Sequence, residues 1–116
     1  MRKIISLFLV CVMLTACGSK YQTIDSNKAM DLIEDGAVII DVRERHEFST
    51  GHIKDAINIP LGDIDSVDYD MDTTIIVYCA SGMRSMDAAK TLSEMGYTSL
   101  YNLDGGLINW GFELED

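Results

Sequence analysis

The apolar residues of the chain fall into runs of two different periods. Val38-Ile39-Ile40-Asp41-Val42 and Thr73-Thr74-Ile75-Ile76-Val77-Tyr78 are short, rich in β-branched residues and apolar at consecutive positions. That pattern predicts strands buried on both faces. Residues 21–24, 56–60 and 99–103 predict three further short strands. Elsewhere the period lengthens to that of a helix. Ala29, Met30, Leu32 and Ile33 share one side of a helix that Ser26 can cap and Gly36 can stop. Met86, Ala89, Leu92 and Met95 form a stripe on a second helix that runs to about Glu94 and ends at Gly96. A charged turn fills residues 43–51, one or two helical turns residues 61–67, and an acidic loop residues 68–72. Gly105-Gly106 opens a last helical turn carrying Trp110. Strands alternating with helices predict an α/β domain with a mostly parallel central sheet and helices on both faces. Methionines 30, 86 and 95 read as core filler and not as a metal site.

The first stretch does not belong to that domain. Met1-Arg2-Lys3 is basic, residues 4–14 are apolar, and Thr15-Ala16-Cys17 supplies small residues at a cleavage-type boundary. The order is that of a secretory signal, and the apolar run is too short to cross a bilayer stably. Leu14-Thr15-Ala16-Cys17 resembles the lipobox of bacterial lipoproteins. The resemblance implies removal of residues 1–16, a lipid on Cys17, a tether over residues 17–20 and a folded domain over residues 21–116. The protein would then be exported and lipid-anchored to a bacterial membrane, on its periplasmic or extracytoplasmic face.

Charge and cysteine count change with that processing. The whole chain carries a formal charge of −10, from 9 basic and 19 acidic residues. Cleavage takes Arg2 and Lys3 and no acid, which leaves seven basic residues and a charge of −12. Such a surface repels nucleic acid and anionic headgroups, so lipid and not electrostatics would hold the protein at a membrane. Of the 3 cysteines, Cys11 leaves with the signal and Cys17 is lipidated. Cys79 is left alone, without a disulfide partner or a resolving thiol. A lone thiol in an oxidising compartment is either buried and inert or kept for its chemistry.

Cys79 stands at the carboxyl end of the 73–78 strand, just before a helix. In open α/β sheets, ligands bind at that end. A thiol there faces the positive end of the helix and its unpaired N–H groups, which favour the nucleophilic thiolate. Ser81 and Gly82 let the loop curl so that its N–H groups converge on an anion or a polarised sulfur. Arg84 adds a permanent positive charge. On this spacing alone, an inert core cysteine beside a solvated arginine stays open as the alternative.

The wider pattern narrows the choice. Asp41-Val42-Arg43, Glu47-Phe48, Gly51-His52-Ile53 and Ala56-Ile57-Asn58-Ile59-Pro60 together resemble the first signature of the rhodanese family. Tyr78-Cys79 followed by Ser81-Gly82-Met83-Arg84-Ser85 is similar to the active-site loop of its single-domain members. Leu103-Asp104-Gly105-Gly106 with Trp110 resembles its closing segment. The resemblance covers nearly all of residues 21–112. It implies a rhodanese-like fold and a sulfurtransferase whose Cys79 takes the outer sulfur of a donor such as thiosulfate and passes it, as a persulfide, to cyanide or a thiol. The partners would thus be a small anionic donor, a thiophilic acceptor and the membrane, with no nucleic acid, metal or cofactor. The main chain of Ala80, Ser81, Gly82, Met83 and Arg84 would bind the substrate. Arg84 would attract the anion and work beside Cys79. Asp41 and Arg43 would brace the neighbouring strand end, unless they are an ordinary surface ion pair. His52 reads as a structural hydrogen-bonding residue and His46 as exposed.

Loop length separates two chemistries. Related phosphatases and arsenate reductases place one residue more between cysteine and arginine, a wider cradle for a tetrahedral oxyanion. The four residues between Cys79 and Arg84 favour sulfur. A carrier or partner-binding module without turnover is the alternative from a different class. The chain departs from the family pattern at Asp55, where glycine is usual, and after Trp110, where it lacks the usual Gly and Pro.

Overall fold

The structure, a computed structural model, describes residues 20–116. The expected signal, Cys17 and most of the tether lie outside the described residues. Five parallel strands form the central sheet: β1 (Gln22–Ile24), β2 (Val38–Asp41), β4 (Ile57–Asn58), β5 (Thr74–Tyr78) and β6 (Ser99–Leu103). Their spatial order is β1-β6-β5-β2-β4, which centres β5. A separate antiparallel pair joins β3 (His52–Ile53) to β7 (Leu114–Glu115). The helices are α1 (Ser26–Glu34), α2 (Arg45–Phe48) and α3 (Met83–Met95), with 3₁₀ turns over Leu61–Ser66 and Gly106–Asn109.

Alternation along β5 builds two cores. Side chains of successive strand residues point to opposite faces. Ile75, Val77 and Cys79 meet Ala88, Ala89 and Leu92 of α3 on one face. Ile76 and Tyr78 meet Ala29 on α1, with Leu32 and Ile33 packed against them, on the other. Because both faces are covered, the strand reads as one unbroken apolar run. A fully buried leucine such as Leu92 contributes roughly 2 kcal/mol of this burial. The sheet and flanking helices are those expected from the sequence.

Local departures have local causes. The N-cap of α1 is Asp25 and not Ser26, because the Asp25 carboxylate accepts from the Lys28 N–H at 2.9 Å. Ser26 instead donates its hydroxyl to the Asn109 carbonyl at 3.1 Å, tying the start of α1 to the last 3₁₀ turn. The charged turn contains a helix, α2. The Glu44 N–H donates to the Glu47 carboxylate at 3.0 Å in a capping box. Met86 is 43% exposed, so it is not core filler as expected. Its stripe partners Ala89 and Leu92 sit squarely against the sheet and leave Met86 on the helix flank. Asp55 holds φ +70°, the left-handed region where glycine is usual.

Candidate active site

The site begins where β5 ends. Cys79 follows the strand directly, with its side chain on the α3 face and 1% exposed. Residues 80–82 turn the chain into α3, which starts at Met83. Three polar groups converge on the Cys79 sulfur: the Gly82 N–H at 3.1 Å, the Ser85 N–H at 3.4 Å and the Ser85 hydroxyl at 3.4 Å, which is the donor whenever the sulfur is ionised. Burial pushes the thiol toward its neutral form. The hydrogen bonds from Ser85, Gly82 and Ser81 outweigh it and hold the pKa below that of an ordinary cysteine. The site therefore favours the Cys79 thiolate more than water does an ordinary cysteine. The side chain of Met83 points outward and is 71% exposed, so that residue offers the site only its main chain.

The loop is clamped from behind. Leu107 N–H donates to the Cys79 carbonyl at 3.0 Å and Ile108 N–H to the Ala80 carbonyl at 3.2 Å. The approach needs glycine at residue 106. A Cβ there would overlap the Cys79 carbonyl oxygen and stand 2.8 Å from the Ala80 carbonyl carbon, and φ is +57°.

Arg84 does not reach free into solvent. Its guanidinium donates to both carboxylate oxygens of Glu47 across the site, at 2.8 and 3.1 Å. Those bonds lower the Glu47 pKa to about 2 and raise that of Arg84. The residue expected to capture the donor is thus already paired with an acid on α2.

Asp41 and Arg43 form a buried pair and not a surface one, with Asp41 0% and Arg43 6% exposed. The guanidinium bonds the carboxylate through Nε at 3.1 Å and through Nη2 at 2.8 Å. The same Nη2 donates to the Gly51 carbonyl at 2.7 Å. Asp41 also accepts the Arg43 N–H at 2.8 Å, and Asn58 Nδ2 bridges the carbonyls of both residues. Asp41 stands in register with Tyr78, the residue before Cys79, and the Tyr78 hydroxyl accepts from the Ile53 N–H at 3.0 Å. The pair therefore ties down the strand end beside Cys79. His52 stacks on Phe48 with ring centroids 3.7 Å apart, and its Nδ1 lies 3.0 Å from the Phe48 carbonyl, a structural arrangement. His46 is exposed.

Three residues enter the site that the sequence reading quoted within motifs but gave no role there. Ser85 supplies two of the three donors to sulfur, and its position one turn into a helix that starts beside the cysteine was the available signal. Glu47 engages Arg84 from 37 positions away, and no local pattern announces that contact. Gly106 was legible as a turn glycine but not as a backstop. A cavity of about 450 Å³ lies elsewhere, lined by Met30, Ile33, Ile53, Trp110 and Phe112 among others, and its lining includes none of residues 79–85.

A parallel sheet with a cysteine sulfur cradled by N–H groups between a strand end and a helix start is the frame of an α/β domain built around a reactive thiol. Residues 25–113 match the rhodanese-like domain family, and the chain belongs to that family. Among its relatives, the thiosulfate sulfurtransferase GlpE of Pseudomonas fluorescens is 33% identical over 79% of this chain and 86% of its own length. The Bacillus subtilis protein YqhL is 42% identical over 68% of this chain and 64% of its own, so the chain spans just under two thirds of that relative. Among solved structures, a rhodanese-related protein from Thermoplasma volcanium superposes with a TM-score of 0.73 at 29% identity, covering 82% of this chain and 98% of that one. The human single-domain sulfurtransferase TSTD1 gives 0.71 at 25% identity, covering 76% and 93%.

Proposed function

We propose that this protein is a sulfurtransferase that moves sulfane sulfur from a donor such as thiosulfate to a thiophilic acceptor. The observation that carries the reading is the Cys79 sulfur held by Gly82 and Ser85 on either side of Arg84, with only four residues between Cys79 and Arg84. The Cys79 thiolate attacks the outer sulfur of thiosulfate. A new S–S bond forms as the donor's S–S bond breaks, and the electron pair leaves on sulfite. The thiolate's electron pair becomes the new bond, and the terminal sulfur of the persulfide keeps the negative charge it bore in the donor. Cyanide or a thiolate then attacks that sulfur and returns Cys79 to its thiolate. The family match and the sulfurtransferase relatives support this reading. The main chain of residues 80–84 receives the donor, and Asp41 with Arg43 keeps the strand end in place. Export and anchoring through a lipid on Cys17, after removal of residues 1–16, belong to the same proposal and rest on the sequence.

Intact mass after thiosulfate treatment tests the chemistry. The expected result is a covalent adduct one sulfur atom heavier, discharged by cyanide as thiocyanate and missing from Cys79→Ser. Release of phosphate from an aryl phosphate, with no persulfide adduct, would overturn the reading in favour of a phosphatase.

A further inference from the structure

We infer that Glu47 is the specificity-determining residue for donor charge, acting as the built-in counter-ion of Arg84. The inference rests on the sulfur-transfer reading of Cys79. The end-on fork of a guanidinium, Nη1 with Nη2, holds one carboxylate or one oxyanion at a time; a carboxylate there leaves the Nε edge as a donor but balances the charge. In this protein both forward-facing nitrogens of Arg84 are bonded to the two oxygens of Glu47. The clamp is held from both ends. Arg84 is the second residue of α3, fixed to the sulfur-binding loop. Glu47 is fixed on α2, where its Oε1 also accepts from the Glu44 N–H. The pair is therefore built into two elements, unlike a pair of long surface side chains meeting by chance.

The electrostatic consequence falls on the donor. The sulfur is stabilised by N–H and O–H dipoles and not by a free cation. With Arg84 neutralised, the loop supplies no net positive charge to offset a doubly charged donor approaching a protein of formal charge −10. Each extra negative charge on the donor is penalised, whereas the reacting sulfur sees the same cradle. The natural donor is thus of low charge, a monoanionic thiosulfonate or an organic persulfide, in preference to a dianion.

Two donors of nearly equal shape separate charge from fit: thiosulfate, a dianion, and methanethiosulfonate, in which a methyl group replaces one charged oxygen. Both give the Cys79 persulfide by the same bond exchange, releasing sulfite or methanesulfinate. The rate constant for persulfide formation per donor concentration is measured for each, by rapid quench and intact mass. Wild type is expected to favour methanethiosulfonate. Glu47→Gln keeps the capping box, since glutamine also serves at that position, and frees the charge of Arg84. It is expected to raise the thiosulfate-to-methanethiosulfonate ratio at least fivefold. Glu47→Asp, which keeps the charge, is expected to stay near wild type. Glu34→Gln removes the same charge from α1, on the opposite face of the sheet, and is expected to leave the ratio unchanged. A ratio unmoved by Glu47→Gln, or moved equally by Glu34→Gln, overturns the inference while the sulfur-transfer reading stands. No persulfide with either donor in wild type overturns both.

Discussion

Replacing Gly106 by alanine tests whether the 3₁₀ turn over Gly106–Asn109 is what holds the cysteine loop in shape. The new Cβ would overlap the Cys79 carbonyl oxygen and crowd Ala80, so the turn or the loop must retreat. Retreat breaks the hydrogen bonds from Leu107 to Cys79 and from Ile108 to Ala80, at 3.0 and 3.2 Å. Each such bond is worth about 1 kcal/mol net. An alanine forced to φ +57° adds roughly 1–2 kcal/mol. The expected destabilisation is therefore about 3–4 kcal/mol. For a domain of this size that lowers Tm by roughly 15–25 °C. Thermal unfolding followed by circular dichroism measures it, and the persulfide-forming rate is taken in parallel. Should the loop yield without the fold, Tm would fall less and the rate would fall more than about tenfold, because near-attack geometry tolerates little displacement. Gly111→Ala is the control: nothing stands within 4 Å of a Cβ there, and it is expected to be silent. A Gly106→Ala protein with wild-type Tm and wild-type rate would refute the clamp.

Three further outcomes follow from the same geometry. Persulfide formation rises with pH as Cys79 ionises, and the midpoint lies below that of an ordinary thiol because Ser85 and Gly82 outweigh burial. Ser85→Ala removes the hydroxyl donor, so the midpoint should move to higher pH in a rate-against-pH profile, whereas an unmoved midpoint would deny Ser85 that role. Arg43→Met strands Asp41, 0% exposed, without its counter-charge and should cost about 3–5 kcal/mol in urea unfolding. Asp55→Gly relieves an aspartate held at φ +70° and should raise stability by up to about 1 kcal/mol, less whatever the longer search of a glycine chain takes back. A clear loss of stability there would mean that the Asp55 side chain does something its backbone does not reveal.

The fold was legible wherever one physical rule dominated. Strands β2 and β5 read as continuous apolar runs because both their faces are buried, and α3 because the Ala89 and Leu92 positions repeat at helical spacing. The cysteine and its loop were legible from their place between strand and helix; Asp41 and Arg43 came into view only through the family resemblance, and their burial did not. What escaped was decided by contacts between distant segments. Strand β3 has only two residues and exists because Leu114 and Glu115 come back to pair with it, so no local pattern can reveal it. Helix α2 is four residues of charge and aromatic ring, too short to show a period. The partner of Arg84 was missed for the same reason. A charged residue in a loop reads as free until the fold brings an acid to it.

That last point bears on how a buried sulfur carries charge at all. The thiolate is supported by dipoles already in place, which cost nothing to reorient when the charge moves. In the proposed transfer the thiolate gives way to a persulfide whose charge sits on the outer sulfur, one S–S bond of about 2 Å from Sγ. The donors that held the thiolate, from Gly82 and Ser85, then face a nearly neutral sulfur. The N–H groups of the first turn of a helix have no intrahelical partner. In α3 this leaves those of Met83 and Arg84, beside the ones already on sulfur, to receive the displaced charge. Thiolate and proposed persulfide would thus draw on different members of one ring of N–H groups. The ring is small because only four residues separate Cys79 from Arg84. A longer loop would spread the same donors around an oxyanion and leave the second sulfur without a close partner. In the proposed reaction, loop length, helix start and the Glu47-paired arginine would therefore all favour a single sulfur atom over a larger, more highly charged group.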